Sequence, residues 1–267
     1  MLRLKNVVTR DQAIVLACLA IITVLAWIYL VGMASDMAEM ADMVGMPDME
    51  NMAGMALVTP FAAWGLADVV AAALMWIVMM AGMMLPTAAP TMALYVRAER
   101  SRGAAALVNS AAFVSGYLIV WTGFSFVAVG TQWLLLRLGL FAPEMMVTSG
   151  LIGGALFVAA GLYEFSPLKY RCLALCQSPL GFIMGHWRPG LAGALRLGLA
   201  HGTYCLGCCW VLMLLLFAVG VMNLLWVAAL AALVLLQKVV PGERRVAQAT
   251  GALMILVGFA LVARAFA

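Results

Sequence analysis

Apolar residues in this chain come in long uninterrupted runs, and polar residues are confined to the gaps between them. A run of roughly 20 apolar residues, rising about 1.5 Å each as a helix, crosses the ~30 Å hydrocarbon core of a bilayer. The runs predict spans over residues 13–33, 64–85, 104–129 and 145–163. A double-length run over 199–236 splits at the turn-forming Gly220 and Asn223 into a fifth and a sixth span, and a seventh covers 246–266. Pro86 and Pro90 are read as closing the second span, since a proline ends a helix readily. Residues 133–141, interrupted by Arg137, read as an interfacial segment too short to cross. The first run exceeds a signal-peptide core and no small-residue cleavage site follows it, so it is expected to be retained. The pattern therefore predicts an all-α fold, a polytopic transmembrane bundle of about seven spans forming one membrane domain over 1–267.

Composition strengthens that reading. Of the 267 residues 67% are hydrophobic and 10% charged, and the mean hydropathy is +1.11, which fits a chain whose solvent is lipid. Charge then orients it, because Lys and Arg collect in cytoplasmic segments. With a cytoplasmic N-terminus, the inner segments hold Arg3, Lys5, Arg10, Arg97, Arg100, Arg102, Lys169, Arg171, Arg188, Arg196, Lys238, Arg244 and Arg245; only Arg137 and Arg264 fall outside. The expected location is a bacterial inner membrane. The net charge of +4 follows from orientation and gives no reason to expect nucleic acid as a partner.

Methionine is the first candidate chemistry. An outer segment over 34–63 carries no basic residue. With Met33 at its edge it spaces Met37, Met40, Met43, Met46, Met49, Met52 and Met55 three or four apart among Asp, Glu and Gly. Such a stripe suits an interfacial helix that uses Met as an adaptable apolar residue, and it equally suits recruitment of a soft ion. Thioether sulfur selects Cu(I) and survives oxidising conditions. Within span two, Met75, Met79 and Met83 repeat at i, i+4, i+8, with Met80 and Met84 beside them, so sulfurs stack about one turn apart. They either line a path for a soft monovalent cation or fill gaps where Ala81 and Gly82 let a neighbour approach. Asp68, near the outer end of this span, meets water or a metal.

Cysteine is the second. Cys18 stands alone and reads as packing, whereas Cys172 and Cys176 lie in a basic segment over 164–198, and Cys205, Cys208 and Cys209 follow His201. His201, Cys205 and Cys208 fall at i, i+4, i+7, which puts an imidazole and two thiols on one helical face. Cys172 and Cys176 share a face if their segment is helical. Together the two groups supply enough ligands for Cu(I) at low coordination, or for a tetrahedral ion such as Zn. Structural disulfides are not expected on a reducing side, and simple packing of small thiols remains the alternative.

The strings MWIVMMAGMMLPTAAP from Met75, SPLGF from Ser178 and HGTYCLGCCWVLM from His201, followed by GVMN from Gly220, resemble a bacterial family of integral membrane proteins of unknown function described as metal-binding. The resemblance runs from span two through span six and implies a membrane fold and metal binding. In local pattern alone, the paired-Met helix is also similar to eukaryotic copper transporters.

The expected function is binding and handling of a soft metal, Cu(I) foremost, in uptake or delivery. A scaffold subunit that docks a partner and a thiol redox carrier are the alternatives. Neither a phosphate-binding glycine loop nor a metalloprotease histidine pair is present, and His186 and His201 are the only histidines, so no enzyme is expected. Expected partners are the lipid bilayer, a metallochaperone or membrane subunit, and a second copy of the chain.

Overall fold

In hydrocarbon an apolar segment must satisfy its own backbone, and the helix is the single-segment solution. The computed structural model describes residues 10–44, 64–99, 105–140, 147, 149–240 and 243–266. They form α1 (Arg10–Val44), α2 (Leu66–Glu99), α3 (Ala105–Arg137), α4 (Gly150–Glu164), α5 (Pro167–Gln177), α6 (Pro179–His186), α7 (Gly190–Leu214), α8 (Leu216–Val219), α9 (Leu224–Val239) and α10 (Glu243–Phe266). No strand occurs among the described residues.

Five stretches are long and apolar enough to cross a membrane: α1, α2, α3, α7 with α8, and α10. The α4 and α5 helices meet at a 63° bend and would make a sixth if they form one broken span. The expected count of seven also relies on α9, whose 16 residues reach only about 24 Å as a helix. The helix breaks have local causes. Ser166 accepts a hydrogen bond from the Lys169 N–H at 3.1 Å with Pro167 at the first helical position, so α5 restarts immediately after the bend. Gly220, at φ +97°, makes the turn between α8 and α9, near the expected split.

Small residues set the tightest packing. A Cβ on Gly198 of α7 would fall 2.0 Å from the Phe113 carbonyl oxygen, and one on Gly116 of α3 would fall 2.4 Å from that of Leu195. Gly154 and Gly161 of α4 face Gly258 and Gly251 of α10 in the same way, at 2.8 and 2.6 Å from their carbonyl oxygens. Without a hydrophobic drive between helices in lipid, such backbone proximity is what packing uses. At one end of the bundle the Gln12 side chain donates to the Ala93 carbonyl at 2.9 Å, Asn109 donates to Glu99 at 2.7 Å, and Tyr95 lies 5.4 Å from Trp187. Arg10, Arg97 and Arg188 therefore gather there, while Asp68 and Arg137 lie toward the other end. Asp68 is exposed and accepts from the Gly65 N–H at 2.9 Å, which secures the start of α2.

Several expectations need correction. Pro86 and Pro90 do not close the second span; α2 continues through both to Glu99. Between the two prolines the hydroxyls of Thr87 and Tyr117 both donate to the Met84 carbonyl, at 2.8 and 3.0 Å, which ties this turn to α3. Residues 133–137 are not a separate interfacial piece but the last turns of α3, which ends with Gly139 at φ +67°. At 33 residues α3 is about 50 Å long, so its end outreaches the hydrocarbon and Arg137 rests over the Trp133 ring at 5.0 Å. Cys18 is exposed on α1 rather than packed. The 164–198 segment folds into α5, α6 and the first turns of α7 instead of running as an open loop. Most consequential, Lys169 and Lys238 are buried inside the bundle and are not loop charges. Of the methionine-rich segment, Met33–Val44 belongs to α1, and residues 45–63 lie outside the described residues.

Candidate metal centre

The candidates on α7, His201, Cys205, Cys208 and Cys209, are all buried, 0–3% exposed. The Cys208 and Cys209 thiols each donate to the Cys205 carbonyl at 3.0 Å, so both sulfurs sit back along the helix toward Cys205. The Cys205 sulfur points elsewhere. It lies 3.1 Å from the Tyr117 hydroxyl of α3 and accepts from the Lys238 ammonium of α9 at 2.8 Å. Lys238 also donates to Thr87 of α2 at 3.0 Å. Three helices thus meet at one sulfur, and through Lys238 the network reaches Thr87 of α2.

The α5 helix brings the second cysteine pair to this place. Cys172 and Cys176 are one turn apart and both buried. Cys176 neighbours Cys208 across the α5–α7 packing. The Cys172 sulfur lies 2.8 Å from where a Cβ on Gly207 would stand, so the missing side chain at 207 makes room for that sulfur. Tyr163 donates to the Gly207 carbonyl and ties α4 to the same turn. The two cysteine segments therefore meet, and all six cysteines are free thiols.

His201 is surrounded by rings, with centroids of Phe182, Tyr117 and Phe113 at 5.2, 5.5 and 6.0 Å, and its buried Nδ1 has no hydrogen-bond partner among the described residues. On the other side of the Cys205 network lies the methionine helix. Met75, Met79, Met80, Met83 and Met84 are all 0–2% exposed and belong to the bundle core, so their sulfurs face protein and not lipid. The Met84 carbonyl is bridged through the Tyr117 hydroxyl to the Cys205 sulfur. Gly82 on the same helix is where α1 arrives, with a would-be Cβ 3.1 Å from Ala26, so the packing reading of this stretch holds alongside any role for its sulfurs.

Among the described residues no group of three or more His, Cys, Asp or Glu side chains is already arranged around a common point that a metal ion would fill. Donor chemistry nonetheless fits a thiophilic ion. Cysteines from two packed helices supply the soft ligands that Cu(I) accepts, and turning Cys208 or Cys209 away from the Cys205 carbonyl gives up only a weak S–H hydrogen bond.

Residues 73–261, well over half the chain, match the family designated PpoB2 and described as copper chaperone. The chain belongs to the PpoB2 copper chaperone family. No curated protein and no solved structure matches it. Family membership points to copper handling, and the matched region contains the whole thiol, imidazole and methionine assembly just described.

Sequence reasoning did not find Lys238, Thr87 or Tyr117, nor a second buried hub in which Lys169 donates to Glu164 and, at 2.9 Å, to Gln237, while Gln237 donates to Glu164 at 2.9 Å. A usable signal existed: Gln237 and Lys238 follow an apolar run with no turn residue between, so both continue the helix into the core.

Proposed function

We propose that this PpoB2-family protein is a multi-pass inner-membrane carrier that takes up or hands on Cu(I), with its N-terminus in the cytoplasm. The observation that carries the proposal is the packing of the Cys172 sulfur against Gly207, which brings the α5 cysteines onto the turn of α7 that bears Cys205, Cys208 and Cys209. Cu(I) is the substrate of this site and not a resident cofactor. Met75, Met79, Met80, Met83 and Met84 offer weak thioether ligands along α2; Cys172, Cys176, Cys205, Cys208 and Cys209 offer stronger thiolate ligands, and His201 an imidazole. Thioether to thiolate is a gradient toward tighter binding. Holding rather than transforming the ion makes the protein a carrier and not an enzyme, and a carrier needs a donor or acceptor, for which a soluble metallochaperone or a membrane subunit is the expected partner. The collection of Arg10, Arg97 and Arg188 at one end of the bundle supports the orientation. Zn would call for more preorganised, tetrahedral ligands and is the less suited ion.

Cu(I) titration of the purified full chain against a chromophoric chelator tests this. Wild type is expected to compete with the chelator for Cu(I), and Cys176→Ser with Cys208→Ser to lose that competition while keeping its helical content. Retention of tight Cu(I) binding in the double variant sinks the proposal.

A second reading, thiol redox transfer, draws on the same packing. Oxidation would join the Cys176 and Cys208 sulfurs, releasing two protons and two electrons to a partner disulfide that becomes a dithiol. A reversible 176–208 disulfide together with an absence of copper binding would favour it.

A further inference from the structure

The corner between α6 and α7 forms an open cavity of about 430 Å³ that the copper site does not use. Its polar lining comes from His186, Arg188 and Arg196, and Trp187 closes one side. Gly190, at φ +82°, reverses the chain there, and a Cβ on Gly193 would fall 2.1 Å from the Arg188 carbonyl oxygen, so the corner is tightly wound. His186 is held by its Nδ1, 3.0 Å from the Phe182 carbonyl, and by stacking on the Phe182 ring at 4.8 Å. Neither Arg188 nor Arg196 has a carboxylate partner among the described residues, so two unpaired arginines line one cavity. Around this basic mouth the surface is apolar: Leu180, Met184 and Leu191 are 58, 73 and 55% exposed.

We propose that this corner is a headgroup site for an anionic phospholipid. Arginine presents a planar fork of donors that matches phosphate oxygens, and basic pockets between membrane helices suit anionic headgroups. A tryptophan beside the mouth fits the interfacial depth such a headgroup occupies. The exposed Leu180, Met184 and Leu191 give acyl chains a surface, which a soluble phosphate would not need. The corner lies at the same end as Arg10 and Arg97, where anionic lipid of the cytoplasmic leaflet would be found under the proposed orientation.

The test is native mass spectrometry of the full chain released from mixed phosphatidylcholine and phosphatidylglycerol bilayers. Wild type is expected to retain phosphatidylglycerol selectively. Arg188→Gln with Arg196→Gln should cut that retention by roughly fivefold for each arginine, while Cu(I) binding stays unchanged. Equal retention by this variant overturns the site. So does an equal loss in Arg171→Gln with Arg245→Gln, two exposed arginines away from the cavity, because general surface charge would then be sufficient. Displacement of the lipid by inorganic phosphate at comparable affinity would assign the cavity to a soluble anion and overturn the lipid proposal as well.

Discussion

Two lysines are buried in this bundle, and their surroundings differ in kind. Lys169 is fully enclosed with a carboxylate and an amide: Glu164, Lys169 and Gln237 hydrogen-bond in a closed triangle, and the charge is matched within it. Lys238, the next residue after Gln237, meets no carboxylate among the described residues; its partners are the Thr87 hydroxyl and the Cys205 sulfur. An ammonium in a low-dielectric interior needs a compensating charge, and here sulfur is the group in contact that can carry it. The first hub is saturated and pins the α4–α5 bend to α9. The second combines a sulfur held by a cation, two thiols turned onto a backbone carbonyl and an imidazole nitrogen without a partner. Saturated polar groups fix structure, whereas unsaturated ones in the same core are where a ligand has something to gain.

The sharpest way to break this comparison is to remove one lysine at a time. Lys169→Met leaves the Glu164 carboxylate buried and unpaired, and is expected to cost about 3–5 kcal/mol, read as a large loss of thermal stability in detergent. Lys238→Met replaces an ammonium by an apolar chain of similar length and strands no carboxylate. Its stability is expected to stay within about 1.5 kcal/mol of wild type. Equal losses in the two variants would show that Lys238 is as structural as Lys169. The difference between the hubs would then disappear.

How much of this was readable from sequence follows from the physics of each element. Helical class was legible, because backbone satisfaction in lipid leaves an apolar run little choice. The positions of Met75, Met79, Met80, Met83 and Met84, and of His201, Cys205 and Cys208, on shared faces followed from the 3.6-residue period. The convergence of Cys176 on Cys208 was not legible, since it depends on a 63° bend after Glu164 and on a glycine at 207 that admits the Cys172 sulfur. The prolines misled for a related reason: they cost α2 two intrahelical hydrogen bonds, but tertiary packing holds the helix on both sides of them, where Met84, Leu85, Ala88 and Met92 are buried. Lys169 and Lys238 misled because a charge beside an apolar run looks the same whether it faces a loop or a buried partner.

The smallest effect expected is at His201, and it separates the two kinds of hub within one side chain. Its Nδ1 is buried without a partner, a placement that costs roughly 1–3 kcal/mol relative to an apolar ring. Phe113, Tyr117 and Phe182 already surround the ring, so phenylalanine fits the same aromatic environment. His201→Phe is therefore expected to raise stability by about 1 kcal/mol, an increase in the thermal midpoint, while weakening Cu(I) binding in the chelator competition. Destabilisation with copper affinity intact would mean that the imidazole is a packing element and that the nitrogen is not held in reserve for a metal. Gain of stability with loss of affinity would place His201 with Lys238 and the thiols, among groups kept at the expense of the fold.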